Sequence, residues 1–157
     1  TNYILGEMEK GAEYSAALED AQARGYAEAD PTGDVDGHDA AAKVVILANL
    51  VMGQSMTMED VNCVGIRGLT KTDIKAARDK DQRWKLIGTV DKEGDVIQGS
   101  VKPARVNSDH PLHGISGATN AITFSTELLG DITLIGPGAG RIETGYALIG
   151  DILSFSR

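Results

Sequence analysis

Asp39 and Lys43 stand four residues apart, a spacing that on a helix puts both side chains on one face, within reach of each other or of a common ligand. Residues 40–52 are apolar except for Lys43 and Asn49, so the Lys43 ammonium group must be paired or wet. Partial burial is the usual way a lysine is tuned for proton transfer, although nearby carboxylates work against it. The plainer alternative is that Asp39 only favours the positive end of the helix dipole, while Lys43 snorkels to water or makes a structural ion pair.

Just upstream, Glu28, Asp30, Asp34, Asp36 and His38 crowd a stretch that also holds Pro31 and two glycines, Gly33 and Gly37. Carboxylates this dense suit a cationic ligand, but acidic residues in a Pro/Gly loop are commonly just solvated, and Asp before Pro is a frequent turn former. Gly136-Pro137-Gly138-Ala139-Gly140 allows close approach to its backbone, and amides opening a following helix can face a phosphate or a nicotinamide ring. It lacks the GxGxxG spacing and the later acidic residue of a dinucleotide fingerprint, and no Lys-Ser/Thr follows as in a P-loop. A tight strand-to-helix turn explains it equally well. His110 and His113 lie in His-Pro-Leu-His-Gly without a Cys or Glu at ligand spacing, so neither they nor His38 make a metal pattern. Cys63 has no neighbouring base and reads as a buried, inert thiol.

The elements that position these residues follow from periodicity. Tyr3, Ile4 and Met8, then Tyr14, Ala17, Leu18 and Ala21, recur at three- and four-residue spacing, which predicts two short helices broken at Gly11, with Ser15 able to cap the second. The second should stop at Gly25, and residues 25–37 read as an ordered loop. Asp36, three residues before Asp39, makes an acidic variant of the capping box for a helix over 40–52, whose apolar composition predicts burial. Residues 56–67 read as extended, and 72–80 as a short solvent-facing helix. The basic stretch 67–85 reads as a solvated helix face and its flanks. From Arg83 the period changes to two, through Trp84, Leu86, Val90, Val96, Ile97 and Val101, predicting a β-hairpin; a second pair of strands is expected around 121–128 and 131–135. Residues 142–155 return to helical spacing. Helices first and hairpins later make an α+β domain, with a mixed or antiparallel sheet covered by helices.

Bulk properties narrow the partners. The 157 residues carry 15 Lys and Arg against 23 Asp and Glu, a net charge of -8, which disfavours nucleic acid or an anionic membrane. The charge is uneven: 12 acidic and 3 basic residues fall in 1–60, against 6 and 10 in 61–105. A single cysteine forms no internal disulfide, and no apolar run approaches a membrane span. A small-molecule ligand and a cytoplasmic setting are expected.

Together the weak signals form a specific pattern. Ala21, then Gly25-Tyr26-Ala27-Glu28-Ala29-Asp30-Pro31, Asp34-Val35-Asp36-Gly37-His38-Asp39 and Lys43 resemble the homoserine dehydrogenase signature almost position for position. Thr1-Asn2-Tyr3-Ile4-Leu5 is similar to the segment that follows the family's cofactor domain, and 136–157 to its C-terminal return, so the resemblance covers essentially the whole chain. It departs in lacking the family's N-terminal part, with the dinucleotide fingerprint, a second lysine and a monovalent-metal site.

The resemblance implies an NAD(P)-dependent oxidoreductase interconverting L-aspartate 4-semialdehyde and L-homoserine, on the way to threonine and methionine. It implies Lys43 as proton donor, Glu28 and Asp39 as substrate-binding acids, Asp34 and Tyr26 as residues that shape or brace the pocket, and Gly140 and Gly138 as glycines beside NADP or NAD. No metal ligand is assigned. Residues 1–135 would form the substrate, catalytic and dimerisation domain of a homodimer, with strands 83–106 and 121–135 as interface candidates. Residues 136–157 would return to a nucleotide-binding domain. A non-catalytic ligand-binding or dimerisation module of the same fold, or a dehydrogenase for another small hydroxy acid, are the alternatives.

Overall fold

A computed structural model describes residues 1–94, 96–138 and 141–155. Two helices open the chain, α1 (Asn2–Glu9) and α2 (Tyr14–Ala23). Ile4, Leu5 and Met8 of α1 and Ala17 and Ala21 of α2 are buried against one another, the three- and four-residue spacing giving each helix one apolar stripe. α2 begins at an N-cap Glu13 with no side-chain cap, so Ser15 does not cap it; the helix starts two residues too early for Ser15 to flank it.

The loop after α2 contains a single helical turn, α3 (Thr32–Val35), and leads into α4 (His38–Met52). Gly37 is the N-cap of α4 at φ 87°, and no side chain caps the helix. The acidic capping box is therefore absent, because the Asp36 carboxylate is turned to Arg67 instead. Gly37 is required there twice over. Its φ lies in the left-handed region, and a Cβ would sit 3.0 Å from Val101 Cγ1 and 3.1 Å from Cys63 Sγ.

Residues 56–67 fold as a 3-10 turn, Met58–Asp60, and a short strand, β1 (Val61–Cys63). After α5 (Lys71–Arg78) come the hairpin strands β2 (Gln82–Glu93) and β3 (Val96–Asn107), which pair antiparallel along their whole length. β1 adds to β3 in parallel, giving a mixed three-stranded sheet in the order β1-β3-β2. β4 (Thr119–Thr126) and β5 (Gly130–Pro137) form their own two-stranded sheet, and α6 (Arg141–Phe155) follows. The α+β class is as expected, with the strands divided between two sheets.

Alternation decides what each face of the larger sheet meets. Trp84, Leu86 and Val90 pack with the helices, where Leu86 joins the α1/α2 core to the cluster of Ala41, Val44, Val61 and Val101. Val44 presses close to the sheet at Gly88 and Gly99, where an added Cβ would approach it within 2.8 and 3.0 Å. On the opposite face Lys85 is buried, its ammonium donating to the Ile115 carbonyl, so the basic stretch 67–85 is not wholly solvated. Burial pushes the Lys85 ammonium down from its ordinary pKa, with Glu9 opposing.

α4 is less buried than its composition predicts. Ala41, Val44 and Ala48 face the sheet, whereas Ile46 is 53% and Leu50 80% exposed. The residues that meet the sheet are small ones in an i, i+3, i+7 row, and the larger side chains point away from it.

α5 buries Ile74 and Ala77, so it is more than a surface helix. Its N-terminus is fixed by a reciprocal cap: Thr70 Oγ1 accepts from the Asp73 N–H at 3.2 Å, and the Asp73 carboxylate accepts from the Thr70 N–H at 2.9 Å. Thr70→Ala is expected to cost about 1 kcal/mol in urea unfolding at neutral pH. Hydrogen bonds from the Thr70 side chain, then its backbone, hold Asp73 below the usual carboxylate range. That contribution is present above the unfolded-state pKa and lost as pH falls through the folded one. The stability gap between wild type and variant should therefore narrow in acid; a constant gap would show that the carboxylate takes no part in the cap.

Candidate active site

Asp39 lies in the first turn of α4 and Lys43 one turn further on, as their spacing predicts. The Lys43 ammonium donates to the Asp39 carboxylate, with side chains 54% and 60% exposed. Lys43 is therefore wet and paired rather than partly buried. An exposed i, i+4 pair is worth only a few tenths of a kcal/mol, so the fold does not depend on it and its ammonium can change partners at little cost.

Two of the expected residues are thus paired on α4, and a third, Asp34, sits in the helical turn just before it. Asp34 is half-buried in α3. That single turn is stapled to the strand region by backbone and side chain together. Ile66 N–H donates to the Val35 carbonyl at 2.7 Å, the Cys63 thiol to the Asp36 carbonyl at 3.2 Å, and the Arg67 guanidinium to the Asp36 carboxylate. Burial pushes the Cys63 thiol up, in keeping with an inert role.

Tyr26 and Glu28 lie on the exposed segment between α2 and α3. The Tyr26 ring tilts at 50° against Tyr3 of α1, with centroids 5.1 Å apart. Tyr3 is itself anchored, its hydroxyl donating to Asp20 while the Arg24 guanidinium lies 5.6 Å from its ring centre. The hydrogen bond to Asp20, helped by burial, pushes the Tyr3 phenol up to about 12, so it stays a donor throughout the physiological range. Asp30 turns inward to the chain, accepting from the Thr32 N–H at 3.1 Å. Hydrogen bonds from Thr32 hold its carboxyl below the usual range.

The glycine turn is tied to the start of α1 through the Asn2 side chain and the β4–β5 ladder. Asn2 Nδ2 donates to the Thr119 carbonyl at 3.2 Å, Thr119 pairs with Pro137, and Gly138 N–H donates to the Ala118 carbonyl at 2.9 Å. A Cβ on Gly138 would fall 2.2 Å from the end of the Asn120 side chain, which would have to turn aside to admit it. Gly140 lies outside the described residues.

Other clusters lie apart. A cavity of about 280 Å³ lined by His38, Ala41, Met58, Glu59 and Cys63 opens on a face of α4 turned away from Asp39 and Lys43, since residues 38 and 41 point in other directions at 100° per residue. Among the described residues no group of three or more His, Cys, Asp or Glu side chains could hold a metal ion. No helix among them is long and apolar enough to cross a membrane. Sequence reasoning missed Asn2 and Gln22, whose side-chain amides bond main-chain carbonyls, Arg67, which holds the Asp36 carboxylate, and Gly65, packed against the Val35–Asp36 backbone, all long-range contacts that leave no pattern in residue spacing.

Comparison with known proteins places the chain in a family. The family model described as homoserine dehydrogenase matches residues 1–153. The NAD(+)-dependent homoserine dehydrogenase of Pseudomonas canavaninivorans is 51% identical over 98% of the chain and 44% of that protein. The homoserine dehydrogenase of Methanocaldococcus jannaschii is 42% identical over the same shares. Among solved structures, the S. aureus homoserine dehydrogenase superposes with a TM-score of 0.92 at 38% identity, over 99% of the chain and 40% of that protein. A hyperthermophilic archaeal homoserine dehydrogenase mutant in complex with NADPH gives 0.79 at 34% identity, over 98% and 43%. The chain thus spans less than half the length of these relatives. An acidic loop stapled beside a paired lysine, on a fold shared almost end to end with these enzymes, identifies the chain as a member of the homoserine dehydrogenase family.

Proposed function

We propose that this chain supplies the substrate pocket and proton donor of an NAD(P)-dependent homoserine dehydrogenase, interconverting L-aspartate 4-semialdehyde and L-homoserine. The Asp39–Lys43 pair in the first turns of α4, with Asp34 in the turn just before that helix, carries this reading, and the 51% identity to an NAD(+)-dependent homoserine dehydrogenase supports it. Glu28 and Asp39 present negative charge to the substrate's α-ammonium and its hydroxyl, while Asp34 and Tyr26 brace the pocket. In the reductive direction Lys43 Nζ gives a proton to the aldehyde oxygen as the carbonyl carbon accepts hydride; in the oxidative direction it takes the hydroxyl proton back. When bound, the reduced nicotinamide supplies that hydride.

The chain's own residues fit one edge of such a cofactor. Gly138 leaves its backbone uncovered by a side chain of its own, next to Asn120, and Gly140 is the second glycine assigned to the cofactor. No Gly-rich turn between parallel strands, of the kind that cradles a dinucleotide, occurs among the described residues. The rest of the cofactor, NAD or NADP, would be held by a nucleotide-binding domain of a longer polypeptide. Residues 1–135 then form the substrate and dimerisation domain of a cytoplasmic homodimer, and 136–157 return to the nucleotide-binding domain. The exposed Ile132, Leu134 and Ile135 on β5, and Ile142, Tyr146 and Phe155 on α6, support those two contacts.

The test is nicotinamide absorbance with L-homoserine and NAD or NADP. Reduction by the full-length parent polypeptide, and not by the 157-residue chain alone, is expected. No turnover in the parent would overturn the assignment. A short hydroxy acid lacking the α-ammonium group should be a far poorer substrate, because it leaves the pocket carboxylates unpaired.

A further inference from the structure

Glu28 sits on an exposed segment with α2 behind it and α3 ahead. Hydrogen bonds fix that segment at its two ends. Ala21 carbonyl accepts from the Tyr26 and Ala27 N–H groups at 2.8 and 3.3 Å, and the Asp30 carboxylate caps Thr32. Between these ends the carbonyls of Glu28 and Ala29 are received by one side chain: Gln22 Nε2 donates to them at 2.8 and 3.3 Å. A primary amide has two N–H donors, and both are used here.

We infer that Gln22 is a positioning residue for Glu28, a clamp that orders its backbone before the amino acid substrate arrives. The inference rests on the proposed function, in which the Glu28 carboxylate meets the substrate's α-ammonium. An exposed loop residue that must be ordered on binding gives up conformational entropy, and that loss weakens substrate affinity. A side chain that orders it beforehand removes the loss from the binding step. Gln22 touches neither reacting atom, so its effect falls on KM and not on the proton transfer at Lys43.

The experiment is a double-mutant cycle in the full-length polypeptide with L-homoserine as substrate. Gln22→Ala should raise KM about five- to tenfold, the size expected for losing hydrogen bonds of this kind, with kcat within about twofold. Glu28→Gln alone should also raise KM. In the Glu28→Gln background, Gln22→Ala should then add less than about twofold, because the carboxylate it orders is gone. Gln22→Met keeps the length and apolar stem without the donors, and it carries the test if Gln22→Ala does not fold. A full, additive rise in the Glu28→Gln background, or a kcat loss with KM unchanged, would overturn the clamp while leaving the function intact. Absence of homoserine turnover in the wild type would overturn both.

Discussion

Lys43→Ala in the full-length polypeptide is expected to lower kcat for homoserine oxidation by about 10²- to 10⁴-fold, the usual worth of a positioned general acid or base. KM should change far less, since Glu28 and Asp39 remain to hold the ammonium group. The structure also separates this loss from misfolding. Lys43 is half exposed, and its partner Asp39 is a surface i, i+4 contact, so the variant should unfold at nearly the wild-type urea concentration. Lys43→Arg is expected to fail almost as badly. A guanidinium keeps the charge and can still bond Asp39, but it does not release its proton at working pH, and its planar fork carries the donors to different places. Asp39→Asn is a milder change for turnover, acting mainly through substrate binding. Unchanged kcat in Lys43→Ala would mean that another group moves the proton, and the role assigned to this helix would be wrong.

How much of this is legible in the sequence depends on whether the cause is periodic. The two opening helices, the β2–β3 hairpin and the spacing of Asp39 and Lys43 are local patterns, and the structure reproduces them. The signature from Ala21 to Lys43 is also a linear string. What escaped is set by contacts across the chain. Asp36 caps nothing because Arg67, 31 residues away, takes its carboxylate. Lys85 reads as solvated until the fold lays the Ile115 loop over its face of the sheet. The apolar length of α4 predicts burial, yet Ile46 and Leu50 stay largely exposed. Gln22 is one polar residue on a helix, and nothing in its spacing reveals that two carbonyls six and seven residues ahead fold back onto it.

Gly65→Ala should show how tightly the carboxylate loop is held, with a cost of about 3 kcal/mol, at the upper end for an overpacked site. A Cβ at this position would lie 2.1 Å from the Val35 carbonyl oxygen and 2.4 Å from Asp36 Cα. Both atoms belong to backbone, so no rotamer change relieves the collision; the two segments must part. Separation breaks the Ile66–Val35 hydrogen bond and carries Asp34, Gly37 and the first turn of α4 with it. Activity should therefore fall along with stability, since a shift of about 1 Å in substrate-positioning groups can cost about 10²-fold in rate. Gly6→Ala provides the contrast. Gly6 is inside α1 with nothing within 4 Å of an added Cβ, and alanine there should stabilise the chain by about 0.5–1 kcal/mol. Urea unfolding of both variants, followed by kcat/KM on the folded protein, reads the two effects separately. A Gly65→Ala protein as stable as wild type would show that the loop is not wedged against the strand. A stable but slow one would show that it yields by moving the carboxylates, and hence that the packing beneath them is what keeps Asp34 and Asp39 in place.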